Sequence, residues 1–91
     1  MKIEFLTKFN KDLTKIRDKN LLKKIEHFIL ELENCNKLSE IEQIKKCVGF
    51  KNAYRKRIGD YRIGFFVDGR IIELAIIASR KDIYKTFPQD F

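Results

Sequence analysis

Five of the six arginines lie between residues 54 and 84, in runs where apolar and polar residues alternate. Gly59-Asp60 separates two of these runs and is typical of a two-residue hairpin turn, because such turns need a positive φ. A turn here places Arg57 opposite Arg62, with Arg55 two residues away on the same strand. Side chains alternate across a strand, so the three arginines share one face. Since like charges opposite each other destabilise a sheet, this face is predicted to bind a polyanion.

Asp68-Gly69 is the stronger hairpin signal, because it lies between two apolar alternating runs. It predicts that Val67 faces Arg70 and, further along the two strands, that Gly64 faces Glu73. Gly64 interrupts a strand of otherwise bulky residues, so we expect room there for the backbone of a ligand.

Arg80, Lys81 and Tyr84 follow the last strand and would complete a cup on the arginine face. Guanidinium groups suit phosphates, and a tyrosine ring offers a surface on which a base can stack. Lys56 falls on the apolar face in this register. Either its side chain extends to solvent at the edge of the sheet, or a bulge shifts the strand.

A competing interpretation is that the arginines are scattered surface charges, with Arg55 or Arg62 simply paired to Glu73. His27 is the only histidine and lies beside the apolar stripe of a predicted helix, so we expect a surface residue rather than an acid or base. No metal-ligand spacing, P-loop or GxGxxG motif occurs, so we expect neither a metal nor another cofactor.

The net charge of +7 favours nucleic acid or an acidic protein as the partner. Membrane binding is less favoured, because no helix combines a lysine-rich face with aromatic anchors, and no apolar run approaches the ~20 residues of a membrane span. Cys35 and Cys47 lack metal-ligand spacing and are expected to be reduced thiols. With no visible signal peptide, we expect a cytoplasmic protein.

The periodicity of apolar residues predicts one α+β domain over residues 1–91. An N-terminal strand and a helical hairpin pack on one face of a twisted, mainly antiparallel sheet, which leaves a basic surface on the other. Thr7 is expected to cap the first helix, and Ile71–Ala78 to form an interior strand. The remaining predicted elements are a second helix with a stripe from Leu22 to Leu32, a helical turn near 39–44, a strand at 45–49, and regular structure ending at Phe87-Pro88.

The motif YRKRIGDYRI at residues 54–63, the Asp68-Gly69 turn and the ending SRKDIY at residues 79–84 resemble the RelE/ParE superfamily of bacterial and archaeal toxins. The resemblance covers nearly the whole chain, and residues 83–88 resemble the archaeal RelE-like ending in particular. It implies a RelE-like fold and the toxin half of a type II toxin–antitoxin pair.

The RelE-like members imply a metal-independent mRNA endonuclease that acts in the ribosome. In the implied reaction a ribose 2′-OH attacks the adjacent phosphate and leaves a cyclic phosphate and a 5′-OH. The implied partners are a cognate antitoxin, the ribosome and mRNA. Two alternatives stay open: a ParE-like inhibitor of DNA gyrase, and a non-catalytic nucleic-acid-binding relative.

The resemblance also implies roles for single residues. Arg62 would bind the phosphate, Arg80 would serve the leaving 5′-oxygen, Tyr84 would stack on the substrate, and Arg55 would stand where a family lysine can act as base. Arginine is a poor proton acceptor because its pKa exceeds ~12, so the base is not evident; Glu73 is a speculative substitute. The remaining RNA-binding candidates are Arg57, Lys81, Lys56 and Lys51.

Overall fold

A five-stranded sheet organises the chain, and the computed structural model describes all 91 residues around it. The strands are β1 (Lys2–Phe5), β2 (Ile44–Lys46), β3 (Ala53–Ile58), β4 (Tyr61–Asp68) and β5 (Ile71–Ser79). Their order across the sheet is β1-β5-β4-β3-β2, with β1 parallel to β5 and every other pair antiparallel. The predicted α+β fold with a mainly antiparallel sheet and an interior last strand is confirmed.

Three α-helices accompany the sheet, namely α1 (Thr7–Thr14), α2 (Lys19–Asn34) and α3 (Arg80–Thr86), and a 3₁₀ turn spans Leu38–Glu40. The Asp18 carboxylate caps α2 by accepting from the backbone N–H groups of Asn20 and Leu21, at 2.9 and 3.2 Å. The predicted Thr7 cap is wrong, because Thr7 is already the first helical residue and no side chain caps α1.

The main core lies between the two N-terminal helices and one face of the sheet. Leu21 rather than Leu22 begins the buried stripe of α2, which continues through Ile25, Phe28 and Leu32. Ile63 and other side chains at alternating positions of β3, β4 and β5 close this core from the sheet side. The opposite face therefore carries Arg55, Arg57 and Arg62.

A second, smaller core lies on that opposite face, which is not solely the basic surface that the sequence predicted. It consists of Cys47, Ala53, Ala75, Ile76, Ile83 and Phe87. The last two come from α3 and its end, and both are buried, at 0% and 2% exposure. Helix α3 therefore folds back onto the sheet, and this packing positions Arg80 and Tyr84.

The register of the first hairpin is as predicted, with Arg57 opposite Arg62 and Arg55 opposite Gly64. The predicted register of the second hairpin is wrong, because Asp68 pairs with Ile71 and the turn residues are Gly69 and Arg70. Of these two turn residues, only Gly69 has a positive φ, at 61°. Glycine at the first central position is the pattern of a type II′ turn.

A register irregularity between Gly64 and Phe65 shifts the second hairpin further, so Gly64 faces Ile76 instead of Glu73. The space beside Gly64 is also not free for a ligand. A Cβ at Gly64 would lie 2.7 Å from Cδ2 of Phe87 and 2.8 Å from Cγ2 of Ile76. The missing side chain accommodates the Phe87 ring.

Gly64→Ala should therefore lower the free energy of unfolding by about 1–3 kcal/mol, the usual cost of overpacking a tight core. Equilibrium urea denaturation measures this loss. The double variant Gly64→Ala with Phe87→Leu should recover part of it, because leucine has no ring edge at the contact. A denaturation midpoint equal to that of the wild type would show that the ring moves aside without cost.

Candidate nucleic-acid interface

A cleft of about 240 Å³ opens on the sheet face beside α3, and we call it the arginine cleft. Its walls are formed by Gln43, Lys45, Arg55, Arg57, Arg62, Arg80 and Tyr84. Five of these side chains are cationic and none is a carboxylate. A concave site lined by one sign of charge focuses the electrostatic potential and attracts anions.

Arg62 is held by the turn that joins β3 to β4. Its Nη1 donates to the backbone oxygens of Gly59 and Tyr61, both at 3.0 Å. These bonds fix the guanidinium group at the wall of the cleft and leave its remaining N–H groups without a protein acceptor. A fixed fork of free donors matches the geometry of a phosphate group.

Arg55 and Tyr84 contact each other across the cleft. The guanidinium carbon of Arg55 lies 4.6 Å from the centre of the Tyr84 ring, within the range of a cation–π interaction. One face of the ring is therefore covered by a cation. A base that stacks on Tyr84 would use the other face or displace Arg55.

Arg80 enters the cleft as the first residue of α3. Its backbone N–H donates to the oxygen of Asp60, at 2.9 Å, which ties the start of the helix to the β3–β4 turn. Ser79 caps the same helix, because its Oγ accepts from the N–H of Asp82 at 3.3 Å. Two hydrogen bonds thus set the position of Arg80 relative to Arg62.

Comparison with known proteins gives this arrangement a family. A model described as the ParE toxin of type II toxin–antitoxin systems, parDE, matches residues 3–84. Toxin RelE3 of Methanocaldococcus jannaschii is 40% identical over 89 residues, which are 97% of this chain and 100% of that protein. The chain belongs to the RelE/ParE toxin superfamily.

Solved structures agree with this membership. The RelB–RelE antitoxin–toxin complex from Methanococcus jannaschii matches with a TM-score of 0.80 and 39% identity, covering 93% of this chain and 99% of the other. The archaeal RelE–RelB complex from Pyrococcus horikoshii OT3 matches with a TM-score of 0.72 and 23% identity, covering 87% and 93%. The second likeness is one of fold alone.

The four residues to which the RelE/ParE resemblance gives catalytic roles converge in the arginine cleft, as does Arg57. The other RNA-binding candidates do not line it. Lys81 is the exposed second residue of α3, and Lys51 is exposed in the loop before β3. Their role in binding RNA stays a prediction.

Lys56 lies on the helix-covered face of the sheet, opposite the cleft. Its Nζ is 5.3 Å from the centre of the Phe28 ring and donates to the backbone oxygen of Glu42, at 2.6 Å. Of the two interpretations of this lysine, the bulge is wrong, because β3 pairs with β4 without a register shift. The Lys56 side chain is half-buried, although β3 is an interior strand between β4 and β2 rather than an edge. Its predicted place on the apolar face is confirmed by the regular register of β3, and its role in binding RNA stays a prediction.

Gln43 and Lys45 line the cleft but were not among the predicted site residues. Gln43 has a φ of 63°, and its backbone oxygen accepts from the N–H of Arg57 at 2.9 Å. Lys45 stands opposite Arg55 in the pairing of β2 with β3. Pairing of the predicted strand at 45–49 with the strand that carries Arg55 and Arg57 would have placed Lys45 near the cleft. The length of the loop between the two strands did not determine which residues pair.

Glu73 pairs across the strands with Phe66 and Glu4, and it forms no ion pair with an arginine. The predicted pairing with Arg55 or Arg62 is wrong, and so is the suggestion of Glu73 as the base, because it lies outside the cleft wall. The side chain of His27 is exposed on α2, as expected of a helix-surface residue. Its Nε2 lies 3.8 Å from Oε1 of Glu31.

Cys47 is buried beside the cleft, and Cys35 is buried in the main core, and neither is in a disulfide. Burial raises the pKa of the Cys47 thiol, and the positive charge of Arg55 opposes that rise in part. The thiol is accordingly a packing group rather than a nucleophile. No cluster of three or more potential metal ligands occurs, and none of the helices has the length and apolar character needed to span a membrane.

Proposed function

We propose that this protein is a type II toxin that cuts mRNA in the ribosome without a metal ion. The observation that carries the proposal is the convergence of Arg55, Arg62, Arg80 and Tyr84 in one cleft that no carboxylate lines. Such a cleft fits the phosphate and base of a single-stranded RNA. The setting of this activity is the cytoplasm, where ribosomes translate.

The arginines supply electrostatic stabilisation in the proposed reaction. When a ribose 2′-oxygen attacks the adjacent phosphorus, negative charge grows on the phosphate oxygens. Arg62 offers free N–H donors to these oxygens, and Arg80 faces the departing 5′-oxygen. Donors that are already held in place stabilise such a transition state without reorganisation, which is usually the largest single contribution to the rate.

A cognate antitoxin is the second partner that we propose. The relatives from Methanococcus jannaschii and Pyrococcus horikoshii were crystallised as RelB–RelE antitoxin–toxin complexes. The net charge of +7 would attract a segment of opposite charge and speed its association. An antitoxin that covers the arginine cleft would exclude mRNA from it.

Translation in vitro, with the message mapped by primer extension, tests the nuclease proposal. The purified wild-type protein should produce discrete cuts only when ribosomes are present, and added EDTA below the level that dissociates ribosomes should not protect the message. Addition of the cognate antitoxin should abolish the cuts. Intact message in this assay would contradict the proposal.

Inhibition of DNA gyrase is a second candidate function, because the family model that matches is that of the ParE toxin. The superfamily resemblance allows inhibition of DNA gyrase by the same fold. The same protein sample should therefore be incubated with gyrase and supercoiled DNA. Trapped gyrase–DNA complexes together with intact message would establish the gyrase function in place of the nuclease. Intact message without trapped complexes would favour a non-catalytic relative.

A further inference from the structure

The proposed reaction needs a group that removes the proton of the 2′-OH, and the arginine cleft contains few candidates. Arginine stays protonated in proteins and cannot accept that proton. No carboxylate or histidine lines the cleft. Lys45 and Tyr84 are the lining side chains that can accept a proton, the first as a neutral amine and the second as a phenolate.

Lys45 has the freer side chain of the two. It is exposed on β2, directly opposite Arg55, and forms neither a side-chain hydrogen bond nor an ion pair. The Tyr84 ring, in contrast, is in contact with Arg55. An amine on a four-carbon stem with no competing partner can reach across the cleft to a substrate hydroxyl.

The neighbours of Lys45 along β2 cannot take this place. Lys46 is opposite Tyr54, which packs against the main core, so Lys46 belongs to the other face of the sheet. Cys47 faces the cleft side but is buried in the smaller core. Lys45 is therefore the amine that β2 delivers to the arginine cleft.

We propose that Lys45 is the general base of the cleavage reaction, an inference that rests on the proposed nuclease function. The neutral Nζ of Lys45 takes the proton of the 2′-OH, and the 2′-oxygen forms a bond to phosphorus. The bond from phosphorus to the 5′-oxygen breaks, which yields the 2′,3′-cyclic phosphate. The 5′-oxygen takes a proton from water, and the resulting hydroxide is neutralised when the ammonium group of Lys45 releases its proton.

Lys45 shares the cleft with several charged groups. The charged and titratable groups that share its cleft are Arg55 and Arg57 on β3, Arg62 on β4, and Arg80 and Tyr84 on α3. The arginines do not change charge in the accessible pH range. Substitution of Lys45 and of Tyr84 therefore identifies which of the two accepts the proton.

Single-turnover cleavage in programmed ribosomes, measured between about pH 6 and pH 9, tests the assignment. The wild-type rate should rise with pH, as expected of a reaction that needs a deprotonated group. Lys45→Arg keeps the positive charge but loses the base, so cleavage at neutral pH should fall about 10²-fold. Binding of the toxin to programmed ribosomes should stay within about twofold, because the charge is retained.

Two further variants separate the alternatives. Lys46→Arg makes the same change on the opposite face and should match the wild type at every pH. Tyr84→Phe removes only a hydroxyl and should lose less activity than Lys45→Arg. A Lys45→Arg variant that cleaves like the wild type, or a Tyr84→Phe variant with the larger loss, overturns the assignment while the nuclease proposal stands. A wild-type protein that never cuts overturns both.

Discussion

Arg62→Ala should reduce ribosome-dependent cleavage of mRNA by about 10²–10³-fold, the range observed when one preorganised donor to a developing oxyanion is removed. The guanidinium group is anchored by the oxygens of Gly59 and Tyr61, so its other N–H groups are in place before the substrate arrives. Alanine removes both the charge and the fixed donors. The single-turnover rate in programmed ribosomes measures the loss.

The fold should survive this substitution. Arg62 is half-buried, and its two acceptor oxygens belong to an exposed turn where water can replace the lost donor. The free energy of unfolding, measured by urea denaturation, should therefore fall by no more than about 1 kcal/mol. Arg62→Lys should recover only part of the rate, because an ammonium group is not a planar fork.

Arg70→Ala is the matched control for the loss of one positive charge. Arg70 is exposed in the β4–β5 turn and does not line the arginine cleft. The cleavage rate of the Arg70→Ala variant should stay within about twofold of the wild-type rate, because exposed charges beyond the Debye length of ~10 Å are screened. Equal losses in Arg62→Ala and Arg70→Ala would mean that cleavage depends on overall charge rather than on the geometry of the cleft.

The first hairpin shows what the sequence could predict about the site. Gly59-Asp60 is a turn of two residues between two runs in which apolar and polar residues alternate, so the pairing of Arg57 with Arg62 followed from local chemistry. The helix stripe was predicted to within one residue, because burial of one helix face dictates its spacing. Both features depend on neighbours close in sequence.

The second hairpin shows where such prediction ends. The Asp68-Gly69 signal fits two turn types, and the type II′ geometry moved the turn by one residue, so the partner of Val67 is Ile72 instead of Arg70. The irregularity after Gly64 then shifted the pairing again. No local preference fixes a bulge, because its position is set by packing between strands and the chain beyond them. The erroneous placement of Glu73 beside the arginines followed directly.

The smaller core was missed because its members are distant in sequence and individually unremarkable in composition. Cys47, Ala75 and Phe87 come from three distant parts of the chain that only the tertiary fold brings together. A local signal did exist for α3, since Ser79 followed three residues later by Asp82 has the pattern of a helix start. That signal predicts a helix, although it does not predict which face of the sheet the helix covers.

Phe87→Ala should have the largest effect on stability, a loss of about 3–5 kcal/mol in the free energy of unfolding. The ring is 2% exposed, fills the space beside Gly64 and lies 5.2 Å from the ring of Phe66. A loss of that size is a large share of the ~5–15 kcal/mol that stabilises a typical domain. Equilibrium urea denaturation measures it, and temperature-dependent cleavage assays show its effect on function.

The site should respond together with the core, because Phe87 follows α3 and its N–H donates to the oxygen of Ile83 at 2.9 Å. When the ring is lost, α3 is released from the sheet, and Arg80 and Tyr84 lose their fixed positions in the cleft. Cleavage should therefore fall at temperatures where the circular dichroism of the sheet is still native. Phe91→Ala is the control, because Phe91 contacts the same ring but is 48% exposed. If the two variants were equally stable and equally active, the smaller core would not be what holds α3 against the sheet.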